Sequence, residues 1–550
     1  MKKHNTVKVV LITILVFALL TWVFPAAYFQ SEYVEQGRAQ MGLFDLFNYP
    51  LTAMSYFGHI ALFVLVVGGF YGILYKIPAY RTFLDKIVAK VSKKGLVFLA
   101  VTMFLLATIT SMCGLQLGLF IFFPMLVSII LLMGYDKIVA ALTLVGSTMV
   151  GVAGSTFAYQ NTYIIFSVLS IEVTSEMVMK VVILLVGLVL LVLNTCLYIK
   201  KLGVAKSDAR KAEKKVIKKA EVVEEKVVEV EVKDTKKANS KSKTQAKTNK
   251  TTKTTKNTKS TKNAKSSSKK SSKKDIKAAV KDDEVIVVKE QLDNDISDGF
   301  VPTVVDSSHK IWPLIVGFLI ILIIMVMAFF PWYDVFQNEA FVNATAAVTE
   351  FELFGFPIFG KLLGTFNEFG AWQLNELIIV LAVIALLLVV IYNVKIDDLI
   401  DGFAEGAKKA LAPAVIVILV YTCLVITTYH PFQLVIYKAI LELTKGFNVF
   451  TSSLVAVLAS LFNVEPVYSF QSILPYVASV ITNNESYSIM ALVYQSMYGL
   501  TMLVAPTSIV LMVTLSYLKI SYKEWLSAVW KLVLELLVIL LIIFTILVLV

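Results

Sequence analysis

The feature that most constrains this chain is a recurring apolar run. A helix needs about 20 apolar residues to cross the hydrocarbon core of a bilayer. Nine stretches supply one: Val7–Phe29, Leu51–Tyr75, Lys137–Phe157, Met177–Tyr198, Ile311–Phe330, Leu374–Tyr392, Leu411–Thr428, Ile489–Tyr517 and Leu532–Val550. Two further apolar regions are punctuated midway. Leu96–Met133 is interrupted by Ser111-Met-Cys-Gly114 and Gln116, and Val449–Ile481 by Asn463-Val-Glu-Pro466 and Ser469-Phe-Gln-Ser472. A punctuated region reads as two ordinary spans or as a re-entrant hairpin of two half-helices, and either way the chain returns to the side it left. The expected fold is an all-α polytopic membrane protein of about nine transmembrane helices plus two re-entrant hairpins. A composition 57% hydrophobic and 16% charged points the same way, since a soluble domain carries about 25% charged residues.

Charge divides the chain into three parts. Between Lys201 and Lys310 there are 29 Lys and Arg against 17 Asp and Glu, a net of +12, and the other 440 residues hold 22 of each sign. Residues 1–200 and 311–550, which together are neutral, are therefore two membrane halves around a basic insert at 201–310. From Lys247 to Lys265 a lysine recurs every third residue, a spacing that stripes no 3.6-residue helix and leaves nothing apolar to bury. The insert is expected to be disordered. Its basic run at 233–281 would attract anionic lipid or, less selectively, RNA; the plainer reading is a self-repelling linker between the halves.

Lys and Arg in the connections set the orientation. Lys2, Lys3, the Lys76–Lys94 connection, the insert and Lys519/Lys523 fall on one side, expected to be cytoplasmic. The Gln30–Pro50 and Pro331–Gly370 loops lean acidic and fall outside. That threading puts the amino terminus in and the carboxyl terminus out of a bacterial plasma membrane. The first span is too long for a signal-peptide core and reads as uncleaved.

Sliding the second half onto the first by 351 residues aligns Pro124 with Pro475, Ser128 with Ser479, Ile130 with Ile481 and Thr156 with Thr507. In both halves an interrupted apolar pair precedes a long span that ends in a small-polar break, Gly154-Ser155-Thr156 and Ala505-Pro506-Thr507-Ser508. The first repeat covers about 76–170 and the second about 430–517. Because the two units begin on opposite sides, the repeats are inverted, and such proteins place solute and ion sites where helices break near the midplane. Backbone groups freed at a break can point only at protein, water or ligand. The alternative is that Pro and Gly kink packed helices and Ser/Thr seal the kinks.

Leu96–Tyr135, Ile138–Ile171 and Tyr487–Leu518 contain no Asp, Glu, Lys, Arg or His. The candidate solute and ion ligands are neutral: Ser155, Thr156, Gln160 and Asn161 in the first unit, and Gln471, Ser472, Gln495, Thr501, Pro506, Thr507 and Ser508 in the second. Hydroxyls, amides and freed carbonyls suit Na⁺, and half-helix amino termini suit a carboxylate. The expectation is a carboxylate-bearing solute, with Na⁺ rather than H⁺ as the ion if transport is coupled. Three cysteines and four scattered histidines offer no metal spacing, and no nucleophile–base set or phosphate-cradling loop appears, so no cofactor and no enzyme chemistry is expected.

The stretch Tyr494-Gln-Ser-Met-Tyr-Gly-Leu-Thr-Met-Leu-Val-Ala-Pro-Thr-Ser-Ile-Val-Leu-Met512, followed by Leu518-Lys-Ile-Ser-Tyr-Lys-Glu-Trp525, resembles the YfcC branch of the C4-dicarboxylate carrier (DcuC) family. Gly68-Gly-Phe-Tyr-Gly72, Phe122-Phe-Pro124, Gly134-Tyr-Asp136 and Val150-Gly-Val-Ala-Gly-Ser-Thr156 fit that family's order in the first half. The resemblance implies an inner-membrane carrier for dicarboxylates, amino acids or peptides. It also implies the ion-transporter-superfamily architecture, related to AbgT, often as a homodimer. Relatives' paired glutamates are replaced by Leu117 and Gly118, and their Gly-Asp-Gly by Met497-Tyr498-Gly499. The leading expectation is a secondary active transporter working by alternating access. The rival is a transport-inactive membrane anchor whose insert binds anionic lipid, RNA or a cytoplasmic partner.

Overall fold

The computed structural model describes residues 5–202, 299–302, 310–364, 367–444, 446–481 and 486–549. The chain divides into a main unit, Met1–Tyr198 with Gln291–Val550, and a second unit, Ile199–Glu290. The expected disorder of the insert and its basic run at 233–281 lie outside the described residues.

Along the main unit the helices are α1 (Asn5–Val23), α2 (Leu43–Lys76), α3 (Pro78–Val91), α4 (Gly95–Cys113), α5 (Phe123–Leu132), α6 (Lys137–Ala153) and α7 (Ile164–Val168). Then come α8 (Met177–Leu202), α9 (Trp312–Phe329), three unnumbered short helices at Trp332–Phe336, Ala340–Glu350 and Ile358–Leu363, α10 (Leu374–Ile391), α11 (Ile396–Tyr429), α12 (Gln433–Leu441), α13 (Val449–Phe462), α14 (Pro466–Val480), α15 (Tyr487–Met502), α16 (Ile509–Leu518) and α17 (Tyr522–Leu549). Eight helices among the described residues, counting α3 and α4 as one, are long and apolar enough to cross a membrane. The all-α polytopic architecture expected from sequence is present. The first apolar run differs at its end. Helix α1 stops at Val23 because Pro25 cannot donate to the ladder and disfavours helix before it. Residues Ala26–Phe29 instead pair with Tyr33–Gly37 as a two-stranded hairpin, β1–β2.

The two apolar pairs fold as hairpins. Helix α4 ends at Cys113, where Gly114 turns left-handed at φ 70°, and the chain returns through a short 3₁₀ turn into α5 behind Pro124. At the hairpin's base, a Cβ on Gly95 would lie 2.6 Å from the Tyr135 hydroxyl, so its two feet meet. In the second hairpin the Asn448 side chain caps α13, Asn463–Glu465 form the tip and Pro466 opens α14. At 1.5 Å per residue, α13 and α14 are each about 21 Å long, short of a bilayer core of about 30 Å.

Each hairpin is preceded by the same sequence of parts. Helices α2 and α11 are both 34 residues long. Each leads into a shorter helix carrying one i,i+4 ion pair, Arg81–Asp85 on α3 and Lys438–Glu442 from the end of α12. The two long helices pack antiparallel through small residues. A Cβ on Gly68 would meet the Ala410 side chain and the Gly406 carbonyl, and one on Gly72 would come within 2.0 Å of the Gly402 oxygen. As residue numbers rise on α2 they fall on α11, so the units that follow are inverted. The facing Gly68-x-x-x-Gly72 and Gly402-x-x-x-Gly406 let the backbones approach as small-residue pairs do in bilayers.

The runs at Lys137–Phe157 and Ile489–Tyr517 are both broken helices. Helix α6 is capped by Asp136, contains a π turn at Leu142–Gly146, stops at Ala153 and resumes through a second π turn at Tyr159–Tyr163 into α7. Helix α15 stops at Met502 and resumes as α16 at Ile509.

At one end of the unit, the segment Gly299–Pro302 docks into the helices. The Phe300 carbonyl accepts from the Tyr75 hydroxyl at 3.0 Å and the Ser128 hydroxyl at 2.7 Å, and Arg81 donates to the Pro302 carbonyl at 3.1 Å. The Phe300 ring is 3% exposed, with the Lys137 and Lys519 ammonium groups over it at 4.6 and 5.8 Å. At this same end Asn5 of α1 accepts from the backbone of Tyr522, where α17 begins.

Candidate functional site

The two broken helices cross, the break of α6 packing against α15 one to two turns before α15 itself breaks. Gly499 of α15 sits so close to α6 that a Cβ would lie 2.4 Å from the Ala153 nitrogen, and the Ser496 hydroxyl donates to the Ala153 carbonyl at 3.0 Å. Gln495 then faces the break itself. Its Nε2 donates to the Ser155 carbonyl at 2.7 Å, and its Oε1 accepts from the Thr162 hydroxyl at 3.1 Å. Thr162 is also within 3.0 Å of the Ser155 hydroxyl. Side chains of both repeats thus satisfy the backbone that the first break exposes, as the low-dielectric surroundings demand.

The tip of the first hairpin completes the cluster. The Ser111 carbonyl accepts from the Thr156 backbone nitrogen at 2.9 Å and from the Thr156 hydroxyl at 3.2 Å. The Ser111 hydroxyl donates to the Gly154 carbonyl at 2.8 Å. Gln116, just past the hairpin turn, donates to Asn161 Oδ1 at 3.1 Å, which leaves the Asn161 Nδ2 buried without a hydrogen-bond partner. An unpaired buried amide donor is costly, and a ligand oxygen would relieve it.

The second break repeats one part of this arrangement. Thr507, which aligns with Thr156 at the 351-residue offset, donates its hydroxyl to the Leu461 carbonyl near the end of α13 at 2.9 Å. In each repeat, then, a threonine at the break ties to the last turn of its own hairpin's first helix. Thr501 bonds within its helix, to the Met497 carbonyl, and Ser508 is buried at the entry to α16.

Of the residues marked from sequence, Ser155, Thr156, Asn161 and Gln495 converge at the first break. Thr501, Pro506, Thr507 and Ser508 line the second. Gln160, Gln471 and Ser472 are exposed and stand apart from the cluster. The π turn at Tyr159–Tyr163 is the reason for Gln160: it shifts the helical phase so that Asn161 and Thr162 point inward and Gln160 outward. Sequence reasoning counts Ser111 and Gln116 in the polar inventory of the first unit without naming them as ligands, and passes over Thr162 and Ser496, though all four are polar residues inside apolar runs. It also passed over Glu465, the one carboxyl in the second hairpin's interruption, which accepts a hydrogen bond from Tyr421 of α11.

Inverted repeats, paired hairpins and two broken helices packed at a polar cluster are the architecture of a multi-pass membrane transporter. The model of the C4-dicarboxylate anaerobic carriers matches residues 4–237 and 301–550, and the chain belongs to that family. The unmatched 238–300 takes in most of the lysine-rich run. A solved structure, the YdaH transporter of Alcanivorax borkumensis, is 13% identical with a TM-score of 0.36, over 99% of this chain and 97% of that one. No curated relative matches.

Proposed function

We propose that this protein is a secondary active transporter that moves a small carboxylate-bearing metabolite by alternating access, driven by a cation gradient. The substrate class taken from the family is a C4-dicarboxylate, with amino acids and short peptides as the other carboxylate-bearing solutes to test. The observation that carries the reading is the Gln495–Ser155–Thr162 bridge, which joins the second repeat's helix to the break of the first. The unpaired Asn161 amide beside it would donate to a substrate carboxylate. One repeat moving against the other has to make and remake this bridge, so a solute held there feels both arrangements.

The face that carries Lys76, Arg81, Lys409 and Lys519, with the docked Gly299–Pro302 segment, is read as cytoplasmic by the positive-inside rule. A homodimer, and anionic lipid or RNA as a partner of residues 233–281, belong to the same reading. The experiment is a thermal-shift screen of the purified full chain against C4-dicarboxylates, amino acids and short peptides, followed by uptake of each hit into proteoliposomes. A ligand that binds only the folded state raises the melting temperature by mass action. A solute-specific shift with saturable uptake supports the carrier. No shift from any solute, together with loss of a cellular phenotype on deleting 233–281, would favour the anchor.

A further inference from the structure

Glu465 occupies a place that the neutral inventory of the broken helices leaves unexplained. Two rulers give its depth. Tyr476, on the same helix, packs against Phe29 and Tyr33 of the β-hairpin at one end of the unit, and eleven residues of α14 separate it from Glu465, about 16 Å. Tyr421, which donates its phenol to Glu465, lies eight residues of α11, about 12 Å, from Tyr429, itself stacked on Tyr49 at that end. Both distances place the carboxyl near the middle of a bilayer core of about 30 Å.

Aromatic rings stand on one side of Glu465 and exposed polar side chains on the other. Phe57 of α2 stacks on Tyr421 at 4.0 Å and meets Tyr468 edge-on at 6.4 Å, forming an apolar wall. On the other side α14 exposes Tyr468, Gln471 and Ser472 above a half-buried Glu465. An amide and a hydroxyl exposed at that depth are stable against water, not hydrocarbon. The titratable groups that feel the Glu465 charge are phenols, Tyr421 on α11, Tyr468 on α14 and Tyr498 on α15. No Lys, Arg or His among the described residues forms an ion pair with it. An ionised carboxylate so placed, with one phenol and no cation beside it, carries a large solvation cost that binding a proton removes. The tip is also linked to the candidate solute site: the Tyr498 hydroxyl donates to the Val464 carbonyl at 3.1 Å, and Tyr498 lies one helical turn from Gln495.

We propose that Glu465 is the proton-binding group of the transport cycle, loading a proton from water at the exposed polar face beside the tip of the second hairpin. The carboxylate takes a proton from hydronium and leaves water; the reverse step returns the proton to water when the hairpin opens to the other side. This rests on the carrier reading and replaces Na⁺ by H⁺ as the coupling ion. The Tyr421 phenol holds the group in place in both states, donating to the carboxylate and to the carbonyl oxygen of the acid.

Two measurements on the full-length protein test it. The first needs no substrate: infrared difference spectra between acid and alkaline pH, recorded on wild type, Glu465→Gln and Tyr421→Phe in lipid. Expected is one component of the carboxylic-acid carbonyl band, beside those of the other carboxyl groups, that is present in wild type, absent in Glu465→Gln and moved to higher frequency in Tyr421→Phe, which keeps the acid but loses its hydrogen bond. The second is succinate uptake into proteoliposomes with a pH gradient, with and without Na⁺. One coupled proton sustains up to about tenfold accumulation per pH unit, and Glu465→Gln brings the accumulation ratio down to that seen without a gradient. A carboxylic-acid band identical in wild type and Glu465→Gln, or pH-driven accumulation equal to wild type in that variant, overturns the assignment. Where Glu465→Gln fails to fold, an unmoved band in Tyr421→Phe overturns it. Wild type that shows the band but moves no succinate refutes the dicarboxylate reading and leaves the proton site supported.

Discussion

The bridge from Gln495 to the first break makes a definite thermodynamic prediction. Gln495→Ala removes two hydrogen bonds, to the Ser155 carbonyl and from Thr162, and Thr162→Val removes the second together with the contact to the Ser155 hydroxyl. Interhelical hydrogen bonds in membrane proteins average about 0.6 kcal/mol and reach about 1.7 kcal/mol. Leaving the buried Ser155 carbonyl unpaired adds about 1–3 kcal/mol. Gln495→Ala should therefore cost about 2–4 kcal/mol and Thr162→Val about 1–2 kcal/mol. Because both lose the shared bond, the double variant should cost less than the two together by about 0.6–1.7 kcal/mol. Equilibrium unfolding in mixed micelles, followed by circular dichroism on wild type, both singles and the double, measures the cycle. Additivity to within about 0.3 kcal/mol, the range found for independent sites, would refute the bridge and the crossing built on it.

Other outcomes follow from the packing. Gly406→Leu should yield little folded protein, because a Cβ there would sit 2.1 Å from the Gly68 oxygen; Gly58→Ala should be tolerated, since its Cβ would meet only the flexible Met54 sulfur at 3.3 Å. Size-exclusion profiles of the two variants check this. Phe300→Ala should destabilise the main unit by about 3 kcal/mol through lost burial alone, with a lowered apparent Tm; an unchanged Tm would mean that the segment is not docked in solution. Thr156→Val and Thr507→Val should each cost about 1 kcal/mol, and unequal effects above that scale would argue against the pseudo-equivalence of the two breaks. Deleting 233–281, which overlaps the family match only at 233–237, should leave solute uptake intact.

The hairpins and breaks were legible because Gly, Pro and small polar residues stand out inside apolar runs, and only a few backbone geometries accommodate them. The antiparallel seam was not: Gly68 and Gly72 belong to a visible motif, but their partners Gly402 and Gly406 sit in a helix start rich in Asp and Glu that did not read as a span. Gln160, Gln471 and Ser472 entered the candidate site on polarity alone. A π turn turns the first outward, and the exposed face of α14 carries the other two. Thr162 and Ser496 point inward for reasons of helical phase that one sequence does not disclose. Glu465 was visible as a residue, yet its significance depends on Tyr421, 44 positions earlier, reaching it across the unit.

The most direct test of the carrier itself is solute exchange. Proteoliposomes preloaded with unlabelled C4-dicarboxylate, and in parallel with amino acids or short peptides, are diluted into the labelled solute, with wild type compared against Gln495→Ala. Expected is saturable exchange of one solute class by wild type, well above protein-free vesicles, and its collapse in the variant. Exchange that is unaffected by Gln495→Ala would contradict a solute site where the first break meets α15.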